Sequence, residues 1–310
     1  MINSNHKWDK IGLIYSLDGS TKNKFLLTHS SNPTAVEIKD GLFRIFYSGR
    51  DAQNRSSVSA FDFDMESFQV VNDFKKPLFK FDPNSSFFPD GISCSSVYKV
   101  ENTKYLTFMG WINKRNEHWR GLIGRVQLDN EFEILNESSE ILLNLNKIDK
   151  VSLSYPYIFF EDGLYKMYYG STIEWHYKNS EMLHVINYAE SKNGHNFNPK
   201  GIAFPYIEGV AQAFSRPTIL IRNDIKHAWF SYRGGNGDKY KIGYAVSKEK
   251  NVWDMKLNEN TIFTSNEGWD SEMVEYPFVF EYKKEIFMLY NGNQYGKTGI
   301  GLAVLKNKKI

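Results

Sequence analysis

Glu275-Tyr276-Pro277-Phe278-Val279-Phe280-Glu281 runs through Lys283-Lys284 into Ile286-Phe287-Met288-Leu289-Tyr290, then Asn291-Gly292-Asn293 and Gly299-Ile300-Gly301-Leu302-Ala303-Val304. The unit is an X-Pro step, a short apolar run, a turn, an aromatic strand ending in Tyr, and a third apolar run. Earlier segments repeat it. Arg216-Pro217-Thr218 leads to Ala228-Trp229-Phe230-Ser231-Tyr232-Arg233 and Ile242-Gly243-Tyr244-Ala245-Val246. Tyr155-Pro156-Tyr157 leads to Tyr165-Lys166-Met167-Tyr168-Tyr169 and Ile186-Asn187-Tyr188-Ala189. Asn32-Pro33-Thr34 leads to Phe43-Arg44-Ile45-Phe46-Tyr47 and Ser57-Val58-Ser59-Ala60-Phe61.

Pro156, Pro217 and Pro277 are 61 and 60 residues apart, and Pro33 lies 123 before Pro156. That longer gap holds a copy without proline: Ser95-Ser96-Val97-Tyr98, Tyr105-Leu106-Thr107-Phe108-Met109-Gly110-Trp111 and Leu122-Ile123-Gly124-Arg125-Val126. Five copies of about 60 residues, each of three or four short strands, read as propeller blades. The expected fold is all-β, a single five-bladed β-propeller over residues 1–310. Ile11-Gly12-Leu13-Ile14-Tyr15 is a candidate strand to complete the last blade. Asp40-Gly41, Asp162-Gly163 and Asn193-Gly194 fall between strand runs, as hairpin turns do.

Composition fits that fold. Aromatic residues make up 16% of the chain, with 19 Tyr, 23 Phe and 7 Trp, residue types that suit half-buried strand faces. The net charge is +2 without a long run of one sign, so electrostatic capture of nucleic acid has no support. The basic Lys306-Asn307-Lys308-Lys309 reads as a solvated end. Cys94 is the single cysteine; it excludes an internal disulfide and reads as a small packing residue. Met1 to Trp8 is polar and no long apolar stretch follows, so neither a signal peptide nor membrane insertion is expected, and the cytoplasm is the expected compartment.

Blade geometry narrows the search for chemistry. Adjacent strands are antiparallel, so the start of each first strand and the end of each second strand share one face, around the axis. That face gathers Asn32, Ser95, Tyr155, Arg216 and Glu275 with Arg50, Asp51, Trp111, Arg233, Asn291 and Asn293. Inter-blade loops add Asp90, Glu208 and Asp270. The longest insertion, Thr172 to Glu181, adds Glu174, Trp175 and His176, and a loop so long and aromatic is more often functional than idle. Carboxylates, arginines and aromatic rings converging on a hollow suit a polyol, the rings covering apolar sugar faces and the charged groups taking hydroxyls. Each candidate also has a plain structural role available: strand capping for Glu275, a turn for Asp90, an ion pair for Arg216, inter-blade packing for the tryptophans. No cluster has metal-ligand spacing, and no cofactor is expected.

The five-fold pattern resembles the superfamily of five-bladed glycosidases that includes arabinanases, xylosidases, invertases, levansucrases and mannoside phosphorylases, and it covers essentially the whole chain. That superfamily places an Asp-Pro on the first inner strand, a second Asp on a middle blade and a Glu just before a Pro later. Here those positions read Asn32-Pro33, Ser154-Tyr155-Pro156 and Glu275-Tyr276-Pro277, so one carboxylate of the three is kept. The chain is also similar to propellers that accompany bacterial surface-sugar biosynthesis and to the N-terminal propeller of plant glucosamine inositolphosphorylceramide transferases.

The resemblance implies a carbohydrate-active propeller acting on a glycoside or an activated sugar, including a nucleotide sugar, in bacterial polysaccharide metabolism. Glu275 is then the expected proton donor, with Asp90 or Glu208 as base or nucleophile, because the leaving oxygen is protonated while the opposite ring face is attacked. Arg50, Arg216 and Arg233 would hold phosphate in a phosphorylase. Glu275, Arg216 and Asp90 are expected to line one axial cavity with Trp111 and Trp175. The rival is a sugar-binding or scaffold propeller without catalysis, for which Asn32 and Tyr155 in place of acids argue.

Overall fold

The computed structural model describes residues 8–17, 23–113, 117–179, 181–235, 237–249 and 252–306. The polar start before Trp8 and the basic end after Lys306 lie outside the described residues.

Strand β1 (Trp8–Tyr15) precedes four antiparallel groups of four. They are β2 (Thr28–Lys39), β3 (Leu42–Arg50), β4 (Ser56–Asp64) and β5 (Gln69–Asp73); β6 (Gly91–Val100), β7 (Thr103–Ile112), β8 (Arg120–Leu128) and β9 (Ile134–Leu143); β10 (Ser152–Glu161), β11 (Leu164–Glu174), β12 (Leu183–Ser191) and β13 (Asn198–Ile202); and β14 (Ala213–Arg222), β15 (Ile225–Arg233), β16 (Lys241–Glu249) and β17 (Val252–Met255). A fifth group, β18 (Glu275–Tyr282), β19 (Glu285–Asn291) and β20 (Ile300–Leu305), is completed by β1, which pairs antiparallel with β20. The apolar patch at Ile11–Tyr15 therefore does join the last group, as its sequence suggested. Asp40-Gly41 and Asp162-Gly163 both have positive φ at the two turn positions, the backbone that a tight hairpin requires.

Packing follows from the two-residue period of a strand. In β3, Ile45 and Tyr47 face one apolar cluster, shared with Phe278, Leu289 and Leu302 of the fifth group, whereas Phe46 faces another, shared with Phe108 and Leu122 of the second. Three further clusters repeat this between the second and third, third and fourth, and fourth and fifth groups. Each middle strand is thus buried on both faces, while outer strands such as β5 and β13 are largely open. Burial of each large apolar side chain is worth about 1.5–3 kcal/mol. The first strands touch in order, β2 with β6, β6 with β10, β10 with β14, β14 with β18, and β18 with β2. The architecture is all-β and propeller-like. Among the described residues no helix is long and apolar enough to cross a membrane.

Each first strand carries a bulge at one equivalent place. Register slips between Ser31 and Thr34, Cys94 and Val97, Ser154 and Tyr157, Ser215 and Thr218, and Glu275 and Phe278. Where proline is present, the residue before it has positive φ: Asn32, Tyr155, Arg216 and Tyr276. This register corrects one sequence expectation. Tyr276, not Glu275, is the counterpart of Asn32, Ser95, Tyr155 and Arg216. Glu275 stands one place earlier, with Ser31, Cys94, Ser154 and Ser215.

Candidate functional site

The bulges turn one end of every first strand into a cavity of about 520 Å³, within the range of small-molecule sites. First strands contribute Asn32, Ser93, Ser154, Tyr155, Ser215 and Tyr276, and the ends of second strands contribute Arg50, Trp111 and Arg233. Connections supply the rim: His118 and Trp119 before or at the start of β8, Trp175, His176 and Glu181 between β11 and β12, Tyr240 before β16, and Tyr295 in the turn before β20. The face chosen by strand direction is therefore the one that is hollow.

The aromatic groups are held in place from behind. Trp111 donates from Nε1 to the Ser56 hydroxyl at 3.0 Å. Gly91 lies against its ring so closely that an added Cβ would come within 2.2 Å of it, which explains a glycine there. His118 stacks on Trp175 at 4.6 Å and 17°, Trp119 meets Trp175 edge-on, and the His118 and His176 Nε2 atoms are 3.0 Å apart. Deeper in, His184 sits between the hydroxyls of Ser154 and Thr172, each 2.7 Å away. Burial lowers its pKa to about 3, so its ring is neutral.

The charges are distributed unevenly. Arg233 pairs with Glu181 at 2.8 Å, and the Gly237 N–H together with Arg233 holds that carboxylate below its usual range. Arg50 is half-buried, lines the cavity and makes no ion pair among the described residues. Glu275 is fully buried, and neither carboxyl oxygen has a hydrogen-bond partner among the described residues. Desolvation drives its pKa well above the ordinary value, opposed only in part by Arg50. Around it stand Tyr155, Tyr240, Tyr276 and Tyr295, each coupled electrostatically to it.

Of the residues singled out from sequence, Arg50, Trp111, Trp175 and Arg233 line the cavity. Glu275 lies behind its tyrosine wall. The others are elsewhere or occupied. Asp90 accepts from the Asn113 N–H at 2.7 Å and is outside the lining. Glu208 is exposed and pairs with Lys178 at 3.5 Å, because its loop folds as a surface hairpin between Ile207 and Ala211. The expectation that either acid faces Glu275 across the cavity is corrected on these grounds. Asp51 caps its own turn, accepting from the N–H groups of Gln53 and Arg55 and from the Arg55 guanidinium. Asn291 ties β19 to the Asn32 N–H and to the Ser30 and Gly299 carbonyls, and Asn293 takes the N–H groups of Glu272 and Met273. Arg216 reaches across the axis to the Cys94, Ser95 and Pro33 carbonyls and the Thr34 hydroxyl, without lining the cavity.

Sequence reading missed Glu181, Trp119, His184, Tyr240, Tyr276 and Tyr295. Tyr276 was within reach, since strict alignment on the prolines places it beside Tyr155. Among the described residues no group of three or more His, Cys, Asp or Glu side chains is arranged to hold a metal ion.

No family model matches the chain. Uncharacterized protein Rv1502 of Mycobacterium tuberculosis (strain ATCC 25618 / H37Rv) is 32% identical over 302 residues, covering 97% of this chain and 99% of its own. Uncharacterized protein MT1551 of the CDC 1551 / Oshkosh strain matches to the same extent. The chain belongs to the family of these two mycobacterial proteins. Among solved structures, a glycoside hydrolase superposes with a TM-score of 0.73 at 12% identity, over 96% of this chain and 91% of its own. A structure from the GH130 family of mannoside phosphorylases, described as containing glycoside hydrolases that target β-1,2 mannosidic linkages in Candida mannan, superposes with a TM-score of 0.68 at 14% identity, over 100% and 96%. These likenesses show the fold, that of propeller-like glycosidases.

Proposed function

We propose that residues 1–310 form one closed five-bladed β-propeller whose axial cavity binds a carbohydrate and acts on a glycoside or activated sugar, in the cytoplasm and in polysaccharide metabolism. Closure is supported by the cyclic contacts of the five first strands and by β1 completing the last group. A carbohydrate ligand is supported by the indole and phenol faces around the cavity and by the fold's likeness to glycosidases.

The observation that carries an activity is Glu275. A buried carboxyl whose two oxygens touch no donor is rare in a folded protein and marks a functional group more often than a structural one. Desolvation favours its protonated form, the form that carries the proton a leaving glycosidic oxygen needs, and Arg50 favours the carboxylate left behind. Glu181, an acid of the lining itself, is engaged by Arg233. The attacking group is then supplied by the co-substrate, water or an anion. The second reading, a sugar-binding propeller without catalysis, is favoured by one specific feature, the amide of Asn32 at the first inner-strand position.

A binding screen of glycosides, nucleotide sugars and phosphate by calorimetry identifies the ligand class, and turnover of Glu275→Gln on a bound compound tests the role. Loss of the general acid should cost about 10²–10⁴-fold in rate with binding retained. Unchanged turnover with weakened binding would remove Glu275 as proton donor. Tight binding without turnover by the unaltered protein would favour the non-catalytic reading.

A further inference from the structure

The charges in and around the cavity do not balance. Arg233 and Glu181 cancel. Asp51 is neutralised by Arg55 and Asp270 by Lys10, both away from the lining. His184 is neutral, and so is His29, which packs near Arg50 and whose pKa burial and that arginine lower to about 3. Burial pushes the Glu275 carboxyl toward its neutral form. What is left is the guanidinium of Arg50, lining the cavity without an ion pair among the described residues, and that of Arg216, bonded among them to carbonyls and one hydroxyl. Neither guanidinium has an ion-pair partner among the described residues at this aromatic-walled site.

Uncompensated charge beside a low-dielectric cavity is costly unless something of opposite sign arrives. A neutral sugar does not offset it. We propose that the ligand of this cavity is an anionic carbohydrate whose phosphate or carboxylate group is held by Arg50. The inference rests on the carbohydrate reading above and narrows it to a substrate class. A guanidinium with its donors free is suited to both groups, because its planar fork matches their paired oxygens. Arg216 adds field without contact. The aromatic rim takes the sugar faces, and Arg50, at the end of β3, fixes which end of the sugar enters first.

The test is a matched titration of the full chain by calorimetry with hexoses, hexose 1- and 6-phosphates, hexuronates, nucleotide sugars and inorganic phosphate. At least one anionic sugar series should bind about tenfold or more tightly than its neutral parent. That margin should shrink as salt rises, vanish in Arg50→Ala and be partly restored in Arg50→Lys, with thermal melts confirming that both variants are folded. Hexose phosphates or nucleotide sugars leading assigns a phosphate, and hexuronates leading assigns a carboxylate. Neutral hexoses binding as tightly as their anionic forms would overturn the inference and leave the carbohydrate reading intact. Inorganic phosphate binding at Arg50 while every sugar fails would keep the anion site and overturn the carbohydrate reading. An anion preference that survives unchanged in Arg50→Ala would overturn the assignment to Arg50.

Discussion

Arg216 and Glu275 occupy neighbouring inner strands at nearly the same height, and both are sealed from water, yet their surroundings are opposite. The guanidinium of Arg216 is met by three carbonyls and a hydroxyl from β2 and β6 on the far side of the axis. The carboxyl of Glu275 is met by no donor among the described residues. Burial moves both toward neutrality, bringing the pKa of Arg216 down to about 10 and that of Glu275 well up. At neutral pH the first stays charged, with both terminal nitrogens bonded and only its Nε without a partner, and the second is pushed toward its neutral form with neither oxygen bonded among the described residues. The contrast separates a side chain that ties inner strands together from one left without hydrogen bonds beside the cavity. A buried ionisable group is not by itself a site; an empty hydrogen-bonding shell beside a cavity is the more discriminating sign.

The largest effect that would break this contrast is on stability. Arg216→Met removes the donors that tie β14 to the bulges of β2 and β6, leaving carbonyls orphaned in the interior. Denaturant unfolding should show a loss of about 3–5 kcal/mol. Glu275→Gln removes a group whose raised folded pKa costs stability at neutral pH, so it should be neutral or stabilising there. A neutral or stabilising Arg216→Met would mean that its buried charge costs as much as its hydrogen bonds return. Arg216 would then belong with Glu275 among the functional groups.

A smaller effect, of opposite sign at two buried groups, lies in the pH dependence of stability. The carboxyl of Glu275 has its folded pKa raised above the unfolded value of about 4.3, so the native state binds more protons above that pH. Its contribution is complete below about pH 4.3 and is lost as pH rises toward the folded pKa. The imidazole of His184 has its folded pKa lowered to about 3, so its contribution is complete above about pH 6.5 and is lost as pH falls. Integrated from pH 6.5 to 5, that loss is about 2 kcal/mol. Unfolding measured across pH should therefore show Glu275→Gln flattening the decline toward alkali and His184→Gln flattening the decline toward acid. An unchanged alkaline limb in Glu275→Gln would show the carboxyl ionised in the native state, and the proton-donor role would fall with it.

How far the sequence could carry this picture depends on what each level of structure is written in. Strand periodicity and the proline spacing are local, so the all-β repeat, its turns and the face that is hollow were legible without coordinates. Arg50, Trp111 and Arg233 were found because strand ends bring them to that face, and Trp175 because the insertion that carries it is long and aromatic. Direction within the axis is not local. Whether Arg216 points into the cavity or across to β2 and β6 is decided by carbonyls more than a hundred residues away. Asn291 and Asn293 looked like ligand contacts and are spent on backbone N–H groups and carbonyls. Asp51, ahead of Gln53 and Arg55, closes a turn of its own, a local signal that outranked its place at a strand end.

The smallest expected effects belong to Asp90 and Glu208, and they probe the same contrast from outside the axis. The Asp90 carboxylate accepts the Asn113 N–H, a bond that the amide oxygen of Asp90→Asn can keep. Glu208, 43% exposed in its side chain, meets a Lys178 that is 70% exposed, an ion pair of the kind worth about 0–1 kcal/mol because water and salt screen it. Stability of Asp90→Asn and Glu208→Gln should therefore lie within about 0.5 kcal/mol of the unaltered protein. Turnover on a compound found by the binding screen should change by less than about threefold, far below the loss at Glu275. A drop of about a hundredfold or more in either variant would bring that residue into the reaction as the second acid of a pair. It would require the rim loops to carry Asp90 or Glu208 over the cavity when the ligand is bound. The tyrosine wall around Glu275 would then be only half of the site.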